Sequence, residues 1–131
     1  MAGMYPATSF QTLAGAGRRD DHDRMTHQSD DVQVLQVDEV EPVEVVPGIV
    51  RRRLPATERA RGWMYDFAPG TEWPEVDVHE GEERYYVVSG EFIDRGHRLG
   101  PGSYVVFAPG NTHRPRTETG ARMIGISILA T

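Results

Sequence analysis

Four residues in a short stretch could hold a metal ion: Asp77, His79, Glu83 and His113. Asp77 and His79 alternate, so on a strand both side chains leave the same face. Glu83 returns to that face if a tight turn carries the chain through Glu80-Gly81-Glu82. Imidazole and carboxylate together form a mid-range ligand set suited to one divalent ion of Fe, Zn, Mn, Ni or Co. A lone histidine is more often a satisfied core residue, and Glu83 needs a cation or several donors if it is buried. Asp77 leaves three options open: direct ligation, contact through water, or an open position. No local helix collects these groups, whereas a barrel of short strands does.

The strands that must position them are legible. Short apolar runs occur at Val32–Val37, Val43–Val46, Ile49–Leu54, Gly62–Phe67, Glu72–His79, Arg84–Ser89, Tyr104–Phe107 and Arg122–Leu129. Pro47-Gly48, Pro69-Gly70, Ser89-Gly90, Gly100-Pro101-Gly102 and Pro109-Gly110 punctuate them. Strands at roughly 8–12-residue spacing without helical period predict an all-β sandwich or barrel. Ala56–Arg61 offers at most a helical turn. Alternation places Trp63, Tyr65 and Phe67 on one face, Glu83, Tyr85 and Val87 on another, and Val105 with Phe107 on a third. Pointing inward, Trp63, Tyr65, Tyr85 and Phe107 would wall a substrate-binding cup, with core packing as the plain alternative.

These motifs resemble those of the cupin superfamily. The family pairs a Gly…His-x-His…Glu…Gly motif with a later Gly…Pro-x-Gly…His…Asn motif. His79, Glu83 and Gly90 stand in register with the first, and Gly102, Gly110 and His113 with the second. Asp77 replaces the first histidine, Ala108 stands at the proline position beside Pro109, Thr117 replaces the asparagine, and Gly70 falls one residue early. The resemblance implies a single-domain jelly-roll β-barrel with Asp77, His79, Glu83 and His113 as the metal set. It points to the branch holding the sensor lobe of ChrR-type zinc anti-sigma factors and iron-dependent β-diketone-cleaving dioxygenases. Similar single-domain cupins are polyketide cyclases. A metal-dependent oxygenase or cyclase/lyase on a small organic substrate is therefore expected, with a regulatory sensor or a metal-free binding barrel as alternatives.

The chain has 131 residues and a net charge of −6, enough for one domain with a modest core. The acidic balance argues against nucleic acid as a partner, and the absence of cysteine excludes disulfide and thiolate chemistry. Met1 to Arg19 lacks the continuous apolar core of a signal peptide, and no run has membrane-spanning length, so a cytoplasmic protein is expected. Residues 1–31 are polar and mixed in charge, the composition of a flexible tail ahead of a barrel domain over residues 32–131. Arg51-Arg52-Arg53 and Arg114-x-Arg116 read as exposed strand faces, the latter pair able to meet an anionic substrate. Met123–Leu129 carries apolar residues on both parities, which predicts a homodimer burying the outer face.

Overall fold

The computed structural model describes residues 32–130. The tail assigned to residues 1–31 lies outside them. Among the described residues there are ten strands and a single 3-10 turn, Val37–Glu39, in an all-β jelly-roll arrangement. The strands are β1 (Val43–Val46), β2 (Ile49–Ala56), β3 (Ala60–Phe67), β4 (Asp77–Val78), β5 (Glu83–Gly90), β6 (Phe92–Asp94), β7 (His97–Leu99), β8 (Tyr104–Phe107), β9 (Thr112–His113) and β10 (Ala121–Ile128). Six of them form one antiparallel sheet in the order β1-β2-β3-β10-β5-β8. The pairs β4–β9 and β6–β7 form two small ladders, linked by bridges from Arg116 to Glu72 and Ile93.

Period-2 alternation decides the faces. Trp63, Tyr65, Phe67, Glu83, Tyr85, Val87 and Met123 are all buried, while Tyr86, Val88, Tyr104, Val106 and Ile126 on the opposite parity are exposed. The interior is aromatic: Tyr65 meets Trp63 and Trp73 with ring centroids 5.4 and 5.2 Å apart, and Phe67 meets Phe92 edge-on at 5.0 Å. Such pairs add about 0.5–1.5 kcal/mol each beyond the area they bury.

Three local expectations differ. Residues 32–36 form no strand; they precede the 3-10 turn, whose C-terminal Val40 carbonyl accepts from Arg52 Nε. Of the run Glu72–His79 only Asp77–Val78 is a strand, because Trp73 leaves the ladder to enter the core at 1 % exposure. Ala56–Arg61 is no helical turn but the hairpin between β2 and β3, with Thr57 Oγ1 accepting from the amides of Arg59 and Ala60.

The three consecutive arginines, expected on an exposed strand face, differ in burial. Arg51 is buried at 8 % exposure, Arg52 is half-buried, and only Arg53 is exposed. On the outer face, Arg122 grips Asp66 through Nε at 2.7 Å and a second nitrogen at 3.1 Å, and Arg52 joins the same carboxylate at 2.9 Å. Gly48, Gly70 and Gly102 occupy turns at φ of 90°, 77° and 91°, where a side chain would be strained.

Candidate metal centre

The two small ladders and the end of β5 bring the four sequence candidates together. Asp77 and His113 lie directly opposite each other in the β4–β9 ladder. His79 follows β4, its amide donating to the Asn111 carbonyl and its own carbonyl accepting from Gly110. The chain then bends through Glu80-Gly81-Glu82, as expected. Gly81 makes the bend possible, since a Cβ there would fall 1.8 Å from the Ile128 carbonyl oxygen. Glu83 opens β5, paired with Phe107 on one side and Ser127 on the other.

One ligand atom from each of Asp77, His79, Glu83 and His113 lies within 4.8 Å of all the others. Glu83 Oε2 is 3.1 Å from His79 Nε2 and 3.3 Å from His113 Nε2. Asp77 Oδ2 is 3.4 and 3.8 Å from the same two nitrogens. The side chains of His79, His113 and Glu83 are fully enclosed, and that of Asp77 is 12 % exposed. Close as they are, His79 Nε2, Glu83 Oε2 and His113 Nε2 are not aligned as hydrogen bonds to one another or to other protein groups. Buried polar atoms that converge on a common point without pairing fit a divalent cation at that point.

Electrostatics agree with that arrangement. Burial alone would raise the Glu83 carboxyl, but the close approach of the His113 and His79 imidazoles and the charge of His79 hold it at about 2. Burial alone would lower His113, but Asp94 and Glu83 outweigh it and push the imidazole above its ordinary value.

The four aromatic residues expected to wall the cup are all buried, with Trp63, Tyr65, Tyr85 and Phe107 at 0, 0, 1 and 6 % exposure. Phe107 abuts both imidazoles, its ring centroid 4.3 Å from that of His113 and 5.6 Å from that of His79. Tyr85 stacks at 6.4 Å on His113. Arg114 turns elsewhere, donating to the carbonyls of Trp73 and Pro74 and so fastening the segment before β4. Thr117, at the family's asparagine position, is buried and donates to the Glu91 carbonyl at 2.6 Å.

Sequence reasoning passed over Asp94 and Ser127. Asp94 is 2 % exposed, and its Oδ2 lies 2.8 Å from His113 Nδ1 and accepts from the Tyr85 hydroxyl at 2.7 Å. It ends β6 at a two-residue hairpin whose central residues, Arg95 and Gly96, both have positive φ. Arg95 ties that hairpin to β9 through the Thr112 carbonyl. Ser127, fully buried, donates to Glu83 Oε1 at 3.1 Å and accepts from the Trp63 indole at 3.0 Å. A signal existed in both cases: each is a polar residue on a parity otherwise occupied by buried apolar residues, Phe92 before Asp94 and Met123 before Ser127.

Among the described residues no helix is long and apolar enough to cross a membrane. Comparison with known proteins places this fold. An RmlC-like cupin from Shewanella frigidimarina is 25 % identical, with a TM-score of 0.65 over 71 % of this chain and 86 % of that one. The polyketide cyclase RemF from Streptomyces resistomycificus shares the fold at 19 % identity and a TM-score of 0.66, covering 76 % of this chain and 80 % of that one. So does a chain of the Rhodobacter sphaeroides complex of SigE with the anti-sigma ChrR, at 19 % identity and a TM-score of 0.63, covering 87 % of this chain and 64 % of that one. No curated protein of similar sequence is found. The family model for the ChrR cupin-like domain matches residues 30–126, and the chain belongs to that family of cupins.

Proposed function

We propose that this protein is a metal-dependent enzyme acting on a small carbonyl, enolate or polyketide-like substrate by oxygenase or cyclase/lyase chemistry. The convergence of ligand atoms from Asp77, His79, Glu83 and His113 within 4.8 Å carries this reading. One divalent ion of Fe, Zn, Mn, Ni or Co would be held by those residues and would supply Lewis-acid polarisation of a substrate oxygen. Phe107, against both imidazoles, supplies an apolar wall, and Trp63, Tyr65 and Tyr85 extend it. Asp77 is the ligand with an exposed edge, so substrate approaches from its side.

A bidentate oxygen chelator such as a β-diketone or a 2-oxo acid tests this. In cobalt-loaded protein it should perturb the visible spectrum and quench Trp63 fluorescence, and His113→Ala should abolish both effects. A chelator that leaves the spectrum unchanged, or only strips the ion, overturns the enzyme reading.

The second reading is a metal-binding sensor. The family match and the resemblance over 87 % of this chain to a chain of the SigE–ChrR complex favour it. Metal binding without chelator access would select it over the enzyme.

As to assembly, the exposed Tyr86, Val88, Tyr104, Val106 and Ile126 share one face of the six-stranded sheet, and a homodimer would bury them. The net charge of −6 gives no support to a nucleic-acid partner.

A further inference from the structure

We infer that two buried hydrogen-bond chains aim the ligands, Tyr85–Asp94–His113 and Trp63–Ser127–Glu83, and that Asp94 is a positioning residue that turns His113 Nε2 toward the metal. The inference rests on the metal reading for its purpose, but the chains are a property of the protein itself.

The direction of each chain follows from what its members can donate. A carboxylate oxygen accepts, and Asp94 Oδ2 is shared by the Tyr85 hydroxyl at 2.7 Å and His113 Nδ1 at 2.8 Å. His113 therefore carries a proton on Nδ1, which leaves Nε2 to face Glu83 Oε2 at 3.3 Å. On the other side, the Trp63 indole is a donor only, so its bond to Ser127 Oγ at 3.0 Å occupies an acceptor site of the hydroxyl. The Ser127 proton is then directed to Glu83 Oε1 at 3.1 Å, and Oε2 is left to the histidines. Each chain thus occupies the far atom of one ligand and presents its near atom to the common point.

All six members are buried: Trp63, Ser127 and Glu83 at 0 %, Tyr85 at 1 %, Asp94 at 2 % and His113 at 3 %. Burying the Asp94 carboxylate costs free energy that the fold alone does not require. A carboxylate behind an imidazole fixes the tautomer and strengthens the nitrogen as a ligand, and removing such a partner costs roughly 10–100-fold in metal affinity. Trp63 and Tyr85 therefore act through their polar ends as well as their rings.

Two measurements separate this inference from the metal reading. The first is long-range proton–nitrogen NMR of the histidine rings in metal-free protein at mildly alkaline pH. His113 should be a single tautomer with its proton on Nδ1, and Asp94→Ala should convert it to a mixture. The second is cobalt affinity by competition titration. Asp94→Ala should weaken it roughly 10–100-fold, and Tyr85→Phe and Ser127→Ala should each weaken it by a smaller factor. Asp94→Asn, which keeps an acceptor oxygen but loses the charge, should fall between wild type and Asp94→Ala. A wild type that binds no metal but holds the Nδ1 tautomer sinks the metal reading and leaves the chains standing. A wild type that binds metal, with Asp94→Ala within about twofold of it and the tautomer unchanged, overturns the inference. Should Asp94→Ala fail to fold, Tyr85→Phe and Ser127→Ala decide: unchanged affinity in both overturns it.

Discussion

Gly125 lies directly opposite Trp63 across the β10–β3 ladder, and a Cβ on it would sit 2.6 Å from Trp63 Cη2. The missing side chain is the space the indole occupies, and from there its nitrogen reaches Ser127, two residues along the same strand. The same Cβ would also fall 2.1 Å from the Arg84 carbonyl oxygen, on the other neighbouring strand. A methyl group can be admitted only by both moving the ring and parting β10 from β5. Gly125→Ala should therefore destabilise the protein by about 1–3 kcal/mol in urea unfolding, the usual range for overpacking. Adding Trp63→Phe should recover part of that loss, by removing the ring contact but not the backbone one. An unchanged midpoint in Gly125→Ala would show that the ring does not depend on this gap.

The four proposed ligands should contribute unequally. His79 and His113 are fully enclosed, so replacing either with alanine removes a donor that water cannot readily replace. Purified wild-type protein should carry about one divalent ion per chain, the usual content of a mononuclear His/carboxylate site. His79→Ala and His113→Ala should each abolish binding by elemental analysis. Asp77→Ala should weaken it less, because the 12 % exposed carboxylate sits where water can substitute. Metal-free protein that gains no thermal stability from any of Zn, Mn, Fe, Co or Ni would contradict the site.

The metal-free protein should have a narrow pH optimum of stability. Glu83 is held at about 2, below its ordinary 4.5, so its contribution is full above 4.5 and is lost as pH falls toward 2. His113 is raised above its ordinary 6.5, so its contribution is full below 6.5 and is lost as pH rises through its folded value. The melting temperature should peak between about 4.5 and 6.5. Metal should shift the peak upward, because protons compete for the same atoms. His113→Gln should flatten the alkaline limb, and a metal-free profile unaffected by that change would refute the assignment.

The outer sheet face should mediate association. Tyr104 and Ile126 are 59 % and 39 % exposed on neighbouring parts of it. Light scattering at tens of micromolar, the range in which modest interfaces form, should return twice the chain mass. Tyr104→Arg with Ile126→Arg should halve that value without lowering metal content. A wild-type monomer would leave the apolar face to another partner.

The sequence by itself determined the strands that follow strict alternation, and with them the inner face. Trp63, Tyr65, Phe67, Glu83, Tyr85 and Val87 point inward because period-2 patterning leaves one register in which the apolar set is buried. It also determined which groups could bind a metal, since His79, Glu83 and His113 stand in register with two motifs whose turns are set by glycine. Other features depend on contacts between residues far apart in the chain. Arg51 reads as one of three equivalent arginines until β3 pairs with β2 and sets it opposite Tyr65. Trp73 reads as part of a strand until the aromatic core claims it. Asp94 and His113 are 19 residues apart, and Ser127 and Glu83 are 44 apart. No local preference signals such a pairing, because a carboxylate or hydroxyl on a strand is compatible with solvent or with a partner. Only the packing of the β6–β7 hairpin against β9, and of β10 against β5, removes the solvent and leaves His113 and Glu83 as the groups to bond.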